Sequence, residues 1–136
     1  MRVVLDTNVL VSAFTARGLC ADLFQALLSD HTPLASETIL AELETVLRDK
    51  FKHPPAAAAE RAEFLRQFCE LAPATPSRTI RGIDAADRMV IAEAIAAAAD
   101  ALVTGDQAML ALGAVEGLPL MSPRQLWETL RRAAKK

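Results

Sequence analysis

Short apolar runs alternate with segments of helical periodicity along the whole chain, and this alternation limits the folds that it can adopt. Five runs predict β-strands, at residues 3–5, 33–35, 70–72, 101–104 and 118–121. The segments between them predict helices, at residues 9–14, 20–28, 36–48, 55–69, 84–99, 107–112 and 123–134. Strands and helices in alternation form a parallel sheet that is covered on both faces. The sequence therefore predicts an α/β fold.

The length and composition predict one domain spanning residues 1–136. With 52% hydrophobic residues, the chain can bury a core and is too apolar to be disordered. No apolar run is long enough to cross a bilayer, and the acidic Asp6 argues against a signal peptide. We therefore expect a cytoplasmic protein with no membrane partner. The net charge of −2 does not attract nucleic acid, so such a contact needs local basic patches or a bound cation.

The cysteines and histidines exclude some kinds of site. Cys20 and Cys69 lack the spacing of a metal or redox motif, so we expect two reduced, buried thiols. His31 and His53 lie in proline-containing turns, where we expect them to be solvated. The sequence has no nucleophile elbow, P-loop or glycine-rich dinucleotide-binding pattern. Asn8 stands where an aspartyl-phosphate phosphatase needs a second acid.

Two aspartates follow predicted strands. Asp6 comes directly after residues 3–5, and Asp106 comes two residues after the run 101–104. In open parallel sheets, ligands bind outside the carboxyl ends of the strands. Aspartate is also a favoured N-cap, so each acid alone can be explained as the start of a helix. The presence of both at strand ends favours a functional role.

A third aspartate, Asp87, lies on the apolar face of the predicted helix 84–99. At about 100° per residue, the stripe that contains it also holds Val90, Ile91, Ala94, Ile95 and Ala98. Asp84 lies at the edge of this stripe, whereas Arg88 and Glu93 point away from it. A buried carboxylate is costly unless it is paired or bound to a cation. The choice for Asp87 is therefore between a salt bridge with an arginine and a place in a cation site.

The predicted helix 36–48 carries a fourth candidate acid. Glu42 and Glu44 lie just outside opposite edges of its apolar arc, and Glu37 points further away. Periodicity does not choose between Glu42 and Glu44, and a solvated helix face explains both.

Carboxylates that meet at one edge of the sheet need a cation. Two unit charges about 4 Å apart repel by roughly 4 kcal/mol at an effective dielectric of about 20. Oxygen ligands without cysteine or histidine suit Mg²⁺ or Mn²⁺ rather than zinc. An ion held in this way activates water and stabilises the charge on a phosphoryl oxygen.

Four segments, in this order, resemble the sequence motifs of PIN domains. They are residues 3–10, residues 36–43, residues 84–88, and residues 100–109 with Thr104-Gly105-Asp106 at their centre. The resemblance extends from residue 3 to about residue 126 and selects Glu42 over Glu44. The chain is most similar to the PIN-family toxins of bacterial toxin–antitoxin pairs.

This resemblance implies a three-layer α/β/α sandwich with a parallel, five-stranded sheet. It implies a homodimer that cleaves RNA with Mg²⁺ or Mn²⁺ and is inhibited by a cognate antitoxin protein. The positions that match the acidic quartet, as catalytic residues and metal ligands, are Asp6, Glu42, Asp87 and Asp106. The positions that match supporting polar residues are Thr7, Asn8 and Thr104, with Asp84 as a possible extra ligand.

Basic residues that could grip RNA are few. The candidates are Arg17, Arg48, Lys50 and Lys52. Cations at 48–52 are equally explained as stabilising the end of the preceding helix against its dipole. Two other functions stay open: a non-catalytic binding module whose acids hold a cation or an antitoxin arginine, and a structure-specific DNA nuclease.

Overall fold

The strands of the computed structural model, which describes residues 1–134, form one six-stranded sheet. They are β1 (Arg2–Leu5), β2 (Thr32–Ala35), β3 (Glu70–Leu71), β4 (Ala101–Val103), β5 (Ala114–Val115) and β6 (Leu118–Met121). The order across the sheet is β3-β2-β1-β4-β6-β5, and only β5 runs antiparallel to its neighbour. The predicted parallel α/β fold is confirmed, but the expected number of five strands was wrong. The additional strand, β5, has two residues and lies between Gly113 and Gly117, so it is too short to give an apolar run.

The helices begin and end close to the predicted residues. They are α1 (Thr7–Thr15), α2 (Leu19–Asp30), α3 (Glu37–Asp49), α4 (Pro55–Phe68), α5 (Ala85–Ala96), α6 (Gln107–Leu110) and α7 (Pro123–Ala134). Helix α5 ends before residue 99 because Ala98 has a left-handed backbone with φ 55°. No single helix of residues 1–134 is long and apolar enough to cross a bilayer. Helices α1 and α2 have the required length and apolarity only when they are taken together, and the chain bends by 102° between them.

The central strands are buried on both faces. Residues 3–5 of β1 are at most 2% exposed, and residues 101–103 of β4 are fully buried. Successive side chains of a strand point to opposite faces, so burial of every residue requires helices on both sides. This is the three-layer arrangement that the resemblance implied.

The direction of the connections reverses between β1 and β4. The chain moves from β1 to β2 and β3 on one side, then returns to β4 and continues to β6 on the other. A reversal of this kind opens a crevice at the carboxyl ends of the two strands, where ligands bind in such sheets. Leu5 is in register with Val103, and the Asp6 N–H donates to the Val103 carbonyl at 2.9 Å. The residues after β1 and β4 are therefore held side by side.

The cysteines and histidines differ in part from expectation. Cys20 and Cys69 are free thiols but are only partly buried, and burial raises the pKa of Cys69 to about 11. His31 and His53 are partly buried rather than fully solvated. His31 lies between α2 and β2 with its Nδ1 3.1 Å from the terminal amine of Met1, and the His53 N–H donates to the Leu47 carbonyl at 2.9 Å.

Glu93 contradicts its predicted orientation. It was expected to point away from the apolar stripe of α5, yet it is only 5% exposed. Its Oε2 accepts a hydrogen bond from the Thr38 hydroxyl of α3 at 3.1 Å, and burial raises its pKa. The prediction failed because α5 contacts both α3 and β4, so five consecutive residues, 90–94, are buried rather than one stripe.

Candidate active site

Three of the predicted acids begin helices at the carboxyl edge of the sheet. The Asp6 carboxylate accepts from the Thr7 N–H at 2.9 Å, at the start of α1. The Asp84 carboxylate accepts from the Asp87 N–H at 2.9 Å, at the start of α5. The Asp106 carboxylate accepts from the Met109 N–H at 3.1 Å, at the start of α6. The N-cap explanation of Asp6 and Asp106 is thus correct. It does not exclude a functional role, because each of these caps uses one of two carboxylate oxygens.

Five acids line one cavity of about 390 Å³ at this edge. They are Asp6, Glu42, Asp84, Asp87 and Asp106. They come from four separate parts of the chain, since Asp84 and Asp87 both belong to the start of α5, and the fold brings these parts together. Glu44 does not line the cavity. The rest of the wall consists of Thr7, Asn8, Val11, Val46, Lys50 and Phe51.

Burial and the charges of neighbouring acids raise the pKa values of three of these acids. Burial, followed by the charges of the other four acids, raises the pKa of Asp87 to about 7. Burial is also the main cause of the raised pKa values of Asp6 and Glu42, and each is raised further by a second acid of the cavity. The ion pairs found in residues 1–134 include none of the five acids. The alternative of a salt bridge from Asp87 is therefore wrong, and Arg88 instead donates to the Ile83 carbonyl at 2.7 Å.

The donor set of the cavity fits a hard divalent cation. Ions such as Mg²⁺ and Mn²⁺ prefer carboxylate oxygens, and the cavity offers five carboxylates that form no ion pair with the described cations. Within the described part of the chain, no three of these side chains are already arranged around one ion position. Binding of an ion would therefore require the carboxylates to draw together, which their mutual repulsion opposes while they are unliganded.

A polar network behind the cavity orients Asp6. The fully buried hydroxyl of Thr104 donates to Asp6 Oδ2 at 2.8 Å and accepts from the Asp106 N–H at 3.1 Å. Asn8 Nδ2 donates to the same Asp6 oxygen at 3.2 Å, while its Oδ1 accepts from the Gly105 N–H at 2.9 Å. A Cβ atom at Gly105 would lie 3.3 Å from Asn8 Oδ1, so a larger residue would press on this bond.

Thr7 connects Asp6 to the acid on α3. Its backbone N–H donates to Asp6, and its hydroxyl donates to Glu42 Oε2 at 3.3 Å. The residues predicted to support the site, Thr7, Asn8 and Thr104, are thus all hydrogen-bonded to its acids.

Thr104→Val tests this network without a change of volume. We expect 10- to 100-fold lower metal affinity or activity, because groups that orient metal ligands have effects of about this size. The measurement is the rate of cleavage against Mn²⁺ concentration. Thr45→Val is the matched control, because the Thr45 hydroxyl donates only to the Ala41 carbonyl on the exposed side of α3. Equal metal dependence of the two variants would contradict the role of Thr104.

The predicted basic residues are dispersed. Lys50 lines the acidic cavity, whereas Arg17 lines a separate small cavity at the start of α2. Arg48 is exposed, and Lys52 donates to the Asp49 carbonyl at 2.9 Å, which fits its explanation as a helix-end cation. Sequence reasoning missed Phe51, which lines the cavity and is 45% exposed. The sequence feature that could have indicated Phe51 is its position between two lysines, Lys50 and Lys52.

Residues 2–108 match the protein family described as PIN domain. The chain belongs to the PIN-domain family. No curated protein sequence is significantly similar to it.

Solved structures of PIN-type proteins share the fold. The chain is similar to VapBC2 from Rickettsia felis, solved bound to a DNA fragment from its promoter, with a TM-score of 0.67 and 20% identity over 90% of this chain and 98% of that one. It is similar to Mycobacterium tuberculosis VapC20, a Sarcin-Ricin loop cleaving toxin, with a TM-score of 0.62 and 18% identity over 86% and 99% of the two chains. The PIN domain endonuclease Utp24 has a TM-score of 0.54 and 22% identity over 89% and 84%.

Proposed function

We propose that this chain is a divalent-metal-dependent endoribonuclease and the toxin of a toxin–antitoxin pair. The observation that carries the proposal is the group of five carboxylates in one cavity, at the point where the sheet reverses its strand order, with no ion pair to any cation of residues 1–134. Membership of the PIN-domain family supports it. The names of two structural neighbours, a VapBC complex and a loop-cleaving VapC toxin, support the toxin assignment.

The residues have distinct roles in this proposal. Asp6, Asp87 and Asp106 would hold Mg²⁺ or Mn²⁺, and Asp84 is within the same cavity as an additional ligand. The ion supplies Lewis-acid stabilisation of the phosphoryl oxygen and lowers the pKa of a bound water. Glu42 would orient the attacking water. It accepts a hydrogen bond from the Thr7 hydroxyl, while Asp6 accepts one from the Thr7 N–H. Thr104 and Asn8 hold Asp6 in its position.

The partners follow from the same assignment. A cognate antitoxin would block the cavity, and a homodimer is proposed as the state of the toxin. The cytoplasmic location stays a prediction from the sequence. A cationic side chain of the antitoxin suits a cavity in which five acids outnumber the one lysine, Lys50.

The test is cleavage of a single-stranded RNA by the purified chain. We expect cutting with Mn²⁺ or Mg²⁺, none with EDTA, and recovery when excess Mn²⁺ is added back. A single-stranded DNA of the same sequence is the matched control substrate. Cleavage of DNA in preference to RNA would favour the structure-specific DNA nuclease. No metal-dependent cleavage of either strand would favour the non-catalytic binding module.

A further inference from the structure

One wall of the acidic cavity is neither acidic nor part of the core. It is formed by the Lys–Phe–Lys turn, residues 50–52, which directly follows α3. Of this turn, Lys50 and Phe51 line the cavity together with the five acids. A substrate in this cavity therefore has these two side chains in the same lining as the carboxylates.

The Phe51 ring is available to a ligand. The other four phenylalanines pack on one another in a chain from Phe14 through Phe24 and Phe64 to Phe68, with ring centroids 4.7 to 6.4 Å apart. Phe51 is outside that cluster and outside the set of side chains packed on the core. It lines the cavity, and 45% of its surface is exposed to solvent.

Hydrogen bonds to the end of α3 hold the backbone that carries this ring. The N–H groups of Lys50 and Phe51 both donate to the Val46 carbonyl, at 2.9 and 3.4 Å. Lys52 then turns the chain with a left-handed φ of 57°, and the His53 N–H closes the turn on the Leu47 carbonyl at 2.9 Å. The backbone that carries the ring is therefore already ordered before a ligand binds, so stacking need order only the side chain.

Charge selects the occupant of this wall. Lys50 is exposed and takes part in none of the ion pairs formed within residues 1–134, although it shares the cavity with five acids. A cation beside an exposed aromatic ring is the combination that binds single-stranded nucleic acid, since the cation contacts phosphate and the ring stacks on a base. A purely apolar protein segment would use the ring but leave the lysine charge unused.

We infer that Phe51 stacks on a base of the single-stranded RNA substrate next to the cleaved phosphate, while Lys50 contacts an adjacent phosphate. This inference rests on the proposed function and adds the means by which the acidic cavity holds a polyanion. It requires a single-stranded or splayed substrate, because bases inside a duplex do not expose their faces to a side chain.

Binding and cleavage are measured separately to test this. A fluorescent single-stranded RNA is titrated with the native chain in Ca²⁺, an oxygen-seeking ion, and gels check that the strand stays intact. Phe51→Ala is expected to raise Kd by about 5- to 100-fold, the range that corresponds to loss of one stacked base. Phe51→Trp is expected to keep the native Kd. Lys50→Ala is expected to reduce the slope of log Kd against log salt by about 0.7, as for one phosphate contact on a single strand.

A second readout identifies stacking itself. A set of RNAs is made in which each RNA lacks one base, at a different position. For one of these RNAs, the Kd of the native chain should rise as much as it does in Phe51→Ala with the intact RNA. The same missing base should not raise the Kd of Phe51→Ala any further. Phe68→Ala is the matched control, because Phe68 is 56% exposed but lies at the end of α4 and not in the cavity. It should leave Kd unchanged.

The outcomes separate this inference from the proposed function. The inference is overturned if Phe51→Ala binds RNA with the native Kd. It is also overturned if the native chain does not bind RNA. Either result would favour a protein partner as the ligand of the Phe51 ring. If the native chain cuts RNA while Phe51→Ala is unchanged, the proposed function stands without the inference. If Phe51-dependent binding is found without metal-dependent cleavage, the stacking contact stands, while the proposed function falls together with the placement of Phe51 next to a cleaved phosphate.

Discussion

Asp6→Asn is expected to lower metal-dependent RNA cleavage by roughly 1,000-fold while the fold is kept. A bound metal contributes several kcal/mol of transition-state stabilisation, and each 1.36 kcal/mol is a factor of ten in rate. Asp6 is 3% exposed and is the acid that Thr7, Asn8 and Thr104 all orient. Replacing its charge therefore removes the best-positioned ligand of the cavity.

The substitution separates function from folding. Asparagine is as good an N-cap as aspartate, so the start of α1 is preserved. Loss of one buried negative charge relieves repulsion between the acids, which offsets the hydrogen bonds that the amide NH2 cannot accept from Thr104 and Asn8. The measurement is the single-turnover cleavage rate at saturating Mn²⁺, with circular dichroism to check the fold. Asp22→Asn, an exposed acid in the first turn of α2, makes the same charge change away from the cavity and should be fully active. Activity of Asp6→Asn within tenfold of that control would contradict the assignment.

The central sheet and two of the acids could be predicted from local sequence. Residues 3–5 of β1 and all of β4 are buried on both faces, so these residues are all apolar and each run is visible without knowledge of its neighbours. The acids after them, Asp6 and Asp106, follow because the ends of parallel strands meet at one edge. Strand β5 could not be predicted, because two residues between glycines leave no pattern.

The rest of the site depends on packing that periodicity does not contain. Glu42 and Glu44 flank the same apolar arc of α3, and only contact with Thr7 of α1 distinguishes them. Glu93 is buried because α5 lies between α3 and β4, which no single helix pattern reports. Phe51 follows the end of α3 and is exposed, so it belongs to no stripe. Contacts between elements, rather than patterns within them, place these side chains.

Asp87→Asn is expected to make the metal-free protein more stable and, at the same time, much less active. Burial and the other acids raise the pKa of Asp87 from 3.8 to about 7, so its ionised form opposes folding. A shift of about 3 units corresponds to about 4 kcal/mol at 1.36 kcal/mol per unit. The side chain is partly exposed, so water screens much of this repulsion, and the N-terminus of α5 offsets part of it. We therefore expect a gain of about 1–2 kcal/mol, or about 3–8 °C in melting temperature.

The gain should have a defined pH window. Because the folded-state pKa of Asp87 is raised, the native protein has its full stability below the ordinary pKa and loses stability as the pH rises to about 7. In EDTA, the native and Asp87→Asn proteins should melt together near pH 4 and differ fully above pH 8. Mn²⁺ should reverse their order at pH 8, since a ligand stabilises the folded state that binds it more tightly. Asp22→Asn is the reference for the change of charge. If the native and Asp87→Asn proteins have equal melting temperatures in EDTA at pH 8, Asp87 is not repelled by the other carboxylates.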